Sequence, residues 1–465
     1  MEFDNLKDEL LSVTDTGLKY AGSLDSSAEF EIFVSYQNEV SASISQGIVT
    51  AKDGATAGAA VRAAKGKRIG FAVASGVSPD RIKLATREAL SIINSIDVED
   101  VRFRGFSDPR GKGKEGAFCD DILSIESKDL IKSCEEIIDE AKAVDERIKV
   151  VSAAAAAAWR GYSVGNTRGI LEATISGDND CQCGAYAIEG EERRSGMHFD
   201  VSRERLYNPE GVGKVAAELA IDLLGAEKLD FKGKIPTIWT PIPAALFVMS
   251  SLARSALGDA VVEGISPLCD KIGDTVASKD LTIIDNGQSR LGLGTEAIDA
   301  EGQPQRTNSI IERGVLKNYL FDHYYGTAFG LESTGNCGRS GGFFSAGATP
   351  FEAGPSVSTK WMEVKKGIKS EKEIVESIDG KAVLIRDFPM GIFHSIVATG
   401  EFSCVAGSAY LVEKGEMKGS LEPVSIAGNY YEGFEKLRTI GGDNWPLPWG
   451  IDIPTLVFDD FTVVG

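Results

Sequence analysis

The sequence predicts an α+β protein of two domains: an N-terminal antiparallel sheet with flanking helices over residues 1–228, and a β-rich domain over 229–465. Three observations lead there. A chain of 465 residues exceeds one ordinary domain and can bury a sizeable core. The order helix, antiparallel strands, helix occurs twice in the first 228 residues, which is the arrangement of an α+β domain. The 52 glycines suit many tight turns between strands.

The elements follow in order. Phe3 to Tyr20 has the polar–apolar pattern of a surface helix. Alternating runs AEFEIFVSYQ, VSASISQGIVTAK, AGAAVRAAK and IGFAVAS read as strands, with Lys65-Gly66-Lys67 as a hairpin turn. Ser78 as N-cap and Pro79 at the first helical position open a helix with an apolar stripe through Ile82, Ala85, Ala89, Leu90 and Ile93. A Gly-, Pro- and Lys-rich loop covers about Gly105 to Gly116, and a second helix runs from about Lys128 to Val144.

The pattern then repeats. IKVVSAAAAAAWR is a strand, Gly165-Asn166 a turn, and GILEATIS and DCQCGAYAIEG two further strands. Asn208 and Pro209 then start a helix. The alanines Ala153–Ala158 predict a thin strand packed closely by a helix. LGAEKLDFKGKIP reads as the interdomain linker, and beyond it lies a nearly continuously apolar, hence buried, helix from about Pro243. Most of the rest is strand, with turns at Asn286-Gly287, Arg313-Gly314 and Lys414-Gly415. The block Gly391–Asn444 predicts a hairpin pair followed by a short helix from Tyr430 to Arg438, ended by Gly441-Gly442.

Composition bounds the partners. The net charge of −20 repels phosphate backbones and anionic lipid, which disfavours nucleic acid and suits solubility or basic peptides. The seven scattered cysteines (119, 134, 181, 183, 269, 337 and 404) form an odd count that argues for a reducing cytoplasm rather than a disulfide framework. The acidic N-terminus is unlike a targeting peptide, and no apolar run is long enough for a membrane span.

The wording TGEFSxxAGSAYLVEKGE, SIAGN and GGDN in the C-terminal block resembles the TldD/TldE (PmbA) family, whose members form heteromeric metalloproteases. The likeness extends to EIFVSYQNEVSASISQGIVTAKDGATAGAAVRAAKGKRIGFAVASGVSPD, NPEGVGKVAAELAIDLLGAEKL, IDAEGQPQRTNSIIERGVLKNYLFD and STGNCGR, nearly the whole chain. It implies a choice between two subunit types. TldD-type chains carry a helical HExxxH motif and a C-terminal cysteine that hold zinc, with the glutamate as general base. Aligning the Leu-Glu-Gly-Asp run that follows the motif with Ala256–Asp259 puts the motif on Met249–Arg254. Met249 and Arg254 then stand for the histidines and Ser250 for the glutamate, and GGDNWPLPWG has no cysteine.

The resemblance therefore implies a TldE/PmbA-type subunit with no cofactor of its own. Zinc is expected in a TldD-type partner, and unfolded or extended peptides are the expected substrates of the pair. Ile396, Thr399, Phe402, Ser408 and Tyr410, on the strands around Ile396–Phe402 and Ser408–Glu413, are the candidate peptide-binding surface, with interior sheet as the equal alternative for these strands. Arg254 puts a cation where the sister's zinc would sit, to pair with Glu263 or Asp259; the alternative is an ordinary arginine at a helix end. The family name as a modulator of DNA gyrase finds no support in the charge.

Other sites carry little. His198, His323 and His394 are too widely spaced for a helical or hairpin ligand pair. Cys181 and Cys183 share a strand face, which suits soft metal or plain packing. Ser250 and Ser251 lack a G-x-S-x-G elbow, and His394 and Ser395 are strand neighbours that would point apart. Two alternative functions are a self-associating peptide-binding scaffold without a protease partner, and an independent hydrolase with an unrecognised site. A homodimer of the isolated chain is compatible with either.

Overall fold

The computed structural model describes residues 1–339 and 349–465. Its N-terminal part is one six-stranded antiparallel sheet built from strands of unusual length. In chain order the elements are α1 (Leu6–Leu24), β1 (Glu29–Ser45), β2 (Ile48–Lys65), β3 (Arg68–Ser75), α2 (Pro79–Ser95), α3 (Ser127–Val144), β4 (Ile148–Asn166), β5 (Leu171–Glu189), β6 (Glu192–Ser202) and α4 (Val212–Asp222). The sheet order is β3-β2-β1-β4-β5-β6.

The expected fold class holds, but several boundaries move. AEFEIFVSYQ and VSASIS form one strand, because β2 and β4 pair continuously along it and Gln37-Asn38-Glu39 offers no turn conformation. The hairpin turn falls instead at Gln46-Gly47, both with positive φ, as a two-residue hairpin loop requires. GILEATIS and DCQCGAYAIEG likewise fuse into β5, and β4 runs through Gly165-Asn166 to a turn at Gly169. ERRSGMHFDVS adds β6, a sixth strand beyond those expected. The helix expected at Asn208-Pro209 begins at Val212, and the Asn208 carboxamide oxygen accepts from the Glu210 amide in a turn before it.

Period-2 alternation sorts this sheet into two faces. Phe30, Ile32 and Val34 lie under α1 and α2, and Ala42 and Ile44 lie under α3. All four helices therefore cover one face, two at each end. Small residues allow the close approach: a Cβ at Gly213 would stand 1.9 Å from the Ile137 carbonyl oxygen, and one at Gly196 2.2 Å from that of Ala216. Ala153, Ala155, Cys181 and Cys183 pack into the same layer, which accounts for the alanine run. The other face carries Glu31, Phe33, Tyr162 and Val164 and receives the C-terminal part.

Three larger sheets make up that C-terminal part. They surround α5 (Pro241–Val248), all eight residues of which are buried. Thr240 precedes it, and its amide and hydroxyl both donate to the Ile385 carbonyl oxygen. Phe247 lies in an aromatic cluster with Trp239, Phe402, Tyr430, Phe434, Phe458 and Phe461, at centroid distances of 4.7–5.5 Å for all of its partners. Arg313-Gly314 and Lys414-Gly415 are hairpin turns with positive φ, as expected.

The block Gly391–Asn444 departs from its expected hairpin. Residues 396–400 form a turn closed by the Gly400 amide on the Ile396 carbonyl, so the strand begins only at Glu401. Glu401–Ala406 pairs with Val424–Asn429, whereas Ala409–Glu413 pairs with Lys381–Ile385 and Glu416–Leu421. The chain changes sheets at Gly407-Ser408, so two runs that alternate alike serve different layers.

Phe247→Ala should cost about 3–5 kcal/mol in urea unfolding, since its neighbours are themselves packed on all sides. Ile368→Ala, at a side chain 96% exposed, should stay within about 0.5 kcal/mol. Similar midpoints for the two would contradict this core.

Candidate functional site

The apolar helix α5 does not end as an α-helix. Met249–Ala253 continue it as a π-turn, in which hydrogen bonds run from i to i+5. That winding brings residues five apart towards one face, and Met249 and Arg254 are five apart. Neither residue is a histidine, and the turn carries no glutamate. The Ser251 hydroxyl donates to the Phe247 carbonyl oxygen within the turn. The Ser255 hydroxyl donates to the Ser251 carbonyl at 2.9 Å and lies 2.7 Å from the Tyr431 hydroxyl.

Arg254 donates through both terminal nitrogens to Asp259, each at 2.8 Å. Asp259 lies in the first turn of α6 (Gly258–Val262), where a carboxylate complements the helix dipole. Glu263 is engaged instead with Arg102 of the N-terminal part. Both Arg254 and Asp259 are about one-third exposed, so the pair is worth no more than about 1 kcal/mol. Ser250 Oγ is buried without a partner.

These groups do not fit a zinc ion. A thioether, a hydroxyl and a paired guanidinium replace two imidazoles and a carboxylate, and no step through zinc is possible here. The region GGDNWPLPWG is taken up by structural contacts. Asp443 accepts from Thr455, Asn444 donates to Asp452, and Trp445 stacks on Phe199 at 4.8 Å.

The five candidate peptide-binding residues do not form one surface. Ile396 is 54% exposed and Thr399 is exposed. Phe402 is buried, stacked on Tyr430 at 4.8 Å. Ser408 and Tyr410 are buried too, and Tyr410 lies on an interior strand beneath the Arg386 guanidinium. Phe402, Ser408 and Tyr410 therefore cannot present side chains to a peptide, because the change of sheet at Gly407 turns them into the core. The edge of Glu401–Ala406 is itself partly covered, by Met390 on Val405 and Ile396 on Glu401.

The remaining expected sites stay separate. His198 packs near Trp445, His323 begins α7 (His323–Phe329), and His394 is exposed. The Ser395 hydroxyl is bound to Tyr430 and the Ile392 carbonyl, not to His394. Cys181 and Cys183 are buried under the helices, and burial pushes both thiols up to about 12.

A second constellation was not read from the sequence. Arg62 of β2 donates through Nη2 to Glu31 Oε1 at 2.6 Å and to Glu301 Oε1 at 2.9 Å, across the seam between sheet and C-terminal part. Glu301 Oε2 accepts from the His323 amide at 2.8 Å, and Asp322 Oδ1 accepts from the Tyr325 amide as the cap of α7. Asp299 accepts from the amides of Glu301, Gln303 and Cys337. Burial, then the charge of Glu301, pushes Asp299 up to about 7 and Asp322 up to about 8. These residues come from IDAEGQPQ, YLFD and STGNCGR, and the sequence signal was the acidic residues of the first two runs and the cysteine of the third.

Two cavities line the same seam, of about 300 and 420 Å³, and share Arg160. Glu39 and Lys52 face the first, and Asp178, Asp180 and Lys360 face the second. Arg160 pairs with Asp178.

A family model for the PmbA/TldA metallopeptidase C-terminal domain matches residues 232–465, and the model for domain 1 of the same peptidases matches residues 30–93. The chain belongs to the PmbA/TldD family. A metalloprotease TldD homolog of Buchnera aphidicola is 24% identical over 88% of this chain and 86% of its own length. A metalloprotease PmbA homolog of Haemophilus influenzae is 25% identical over 81% and 79%. Among solved structures, TldE from Thermococcus kodakarensis superposes with a TM-score of 0.88 at 23% identity, over 97% of this chain and 100% of that one. A protein from Thermotoga maritima, described as a modulator of a DNA gyrase, superposes at 0.84 and 22% identity over 97% and 99%. The fold of this PmbA/TldD-family chain is thus that of TldE. Among the described residues no helix is long and apolar enough to cross a membrane.

Two outcomes are expected. Arg254→His should bind no more cobalt than the parent in a titration, because one imidazole with no second donor on the π-turn holds metal weakly. Burial, then Glu39, pushes the Asp180 carboxyl up to about 6, against about 3.9 in the unfolded chain. Its stabilising contribution is complete below about pH 4 and is lost as pH rises through about 6. The stability of Asp180→Asn relative to the parent should therefore rise between those pH values in urea unfolding. A pH-independent difference would show that Asp180 titrates normally.

Proposed function

We propose that this chain is the non-catalytic, TldE/PmbA-type subunit of a heteromeric zinc metalloprotease. It would pair with a TldD-type sister that holds the zinc, and help to hold unfolded or extended peptides. The observation that carries this reading is the π-turn at Met249–Ala253, which keeps the winding for a ligand pair while Arg254 is bound to Asp259. A cation fixed at that position by a neighbouring carboxylate leaves no room for a metal ion and no general base.

The seam cavities support the peptide-holding part. Their walls carry Glu39, Asp178 and Asp180 together with Lys52, Arg160 and Lys360, so an extended chain meets both signs of charge there. The seven free cysteines, six of them buried, support a reducing cytoplasm as the compartment. No observation favours a scaffold without a partner.

The test is hydrolysis of unfolded casein by this chain alone, by a TldD-type partner from the same source, and by the two together. Activity is expected from the pair and is expected to vanish when the glutamate of the partner's HExxxH motif is changed to glutamine. Cleavage by this chain alone, or by the pair after that change, would overturn the reading and favour an independent hydrolase.

A further inference from the structure

Glu301, Asp322 and Cys337 are buried, and one ligand atom from each lies within 4.8 Å of the other two. They are the one such group of His, Cys, Asp or Glu side chains among the described residues. They come from three separate segments: the loop after Ile298, the cap of α7 and the short strand Cys337–Gly338. This place is distinct from the π-turn, and none of the three residues replaces a ligand of the HExxxH motif.

We propose that Glu301, Asp322 and Cys337 form a buried site for a divalent cation of borderline softness, zinc above all, with a structural rather than a catalytic role.

Three physical points support it. The donor set comes first. A thiolate selects against magnesium and calcium, and two carboxylates select against copper(I), which leaves zinc-like ions. Zinc bonds of about 2.0–2.3 Å set ligand atoms about 3.5 Å apart, so the three side chains need to close by about 1 Å. All three lie on short segments whose backbone amides already fix the carboxylates, through the His323 and Tyr325 amides.

Charge comes second. Glu31, Asp299, Glu301 and Asp322 face only the guanidiniums of Arg62 and Arg339. Asp285 and Lys360 add one charge of each sign nearby. Four carboxyl groups thus share two guanidiniums in an enclosed volume, where a charge without a partner is costly. A divalent cation would let them all ionise together.

An unused acceptor comes third. Glu31 is 1% exposed, and its Oε2 has no hydrogen-bond partner. Its other oxygen shares Arg62 Nη2 with Glu301 Oε1, so the carboxylate lies beside the same cluster. Buried polar atoms are rarely left unsatisfied. An ion or its bound water at the cluster would satisfy this one. Arg62 stays behind the ion and holds Glu301 and Glu31 in place.

The test uses the metal alone and does not involve the partner subunit or proteolysis. The purified chain, stripped with a chelator, is titrated with Co²⁺ and followed by absorption, and its thermal midpoint is read with and without Zn²⁺. One equivalent of cobalt with a thiolate charge-transfer band, displaced by zinc, is expected, together with a rise in midpoint. Cys337→Ala should lose the band and the zinc-dependent rise, while the other six cysteines remain. Should that variant fail to fold, Asp322→Asn, which keeps the capping oxygen, should lose them instead. No cobalt uptake by the parent, a band without change in both variants, or an equal zinc effect in parent and variants would each overturn the proposal. Metal bound by the isolated chain without casein cleavage leaves the non-catalytic reading intact, so the two tests fail separately.

Discussion

The Arg62 guanidinium is the point on which the two halves of the molecule meet. It is buried, it holds Glu31 on its own sheet, and it holds Glu301 on the C-terminal loop. A buried ion pair of this kind is weak evidence for stability, because desolvation offsets much of the attraction. Its value lies in specificity. With Phe33, Val164, Ile170 and Ile298 forming an apolar patch around it, a sheet seated in any other register would leave a bare charge inside the protein. The loop 296–305 is locked to the same face by Tyr162 and Ser176 on Glu296 and by the Ala297 amide on Thr174. The seam cavities and the carboxylate–thiol cluster take their shape from this docking.

The second constraint is the apolar helix α5. It is enclosed by aromatic rings, and the π-turn at its end carries Met249, Ser250 and Arg254. Ser255 and Tyr431 tie the turn to the Val397 carbonyl oxygen, so it organises the surrounding loops.

Much of the fold was legible. Ser78-Pro79 opened α2 as read, Ile82, Ala85, Ala89 and Ile93 are its buried stripe, and the alanine run of β4 does lie under closely packed helices. The errors share one cause. Gln37-Asn38-Glu39 and Gly177-Asp178-Asn179 look like breaks, but β2 and β4 carry the ladder through the first, and β4, joined by β6 from Asn179, carries it through the second. Local propensity loses to cross-strand pairing when both neighbours are present. Phe402, Ser408 and Tyr410 looked like one surface because alternation reports a buried face and a free face, not which sheet a strand joins.

The sequence by itself determined the class of fold, the family, and the absence of HExxxH donors at Met249–Arg254, since each depends on residue type and local spacing. The tertiary structure alone decided that Arg254 binds Asp259 rather than Glu263, and that the turn beneath it is wound as a π-helix. It also gathered Glu31, Arg62, Glu301, Asp322 and Cys337 into one buried cluster. These residues lie up to 306 positions apart in the chain, and only the packing of the sheet face against the C-terminal loops brings them together. Contacts of that range leave no periodic trace, because they are set by how whole layers stack and not by the pattern within any one of them.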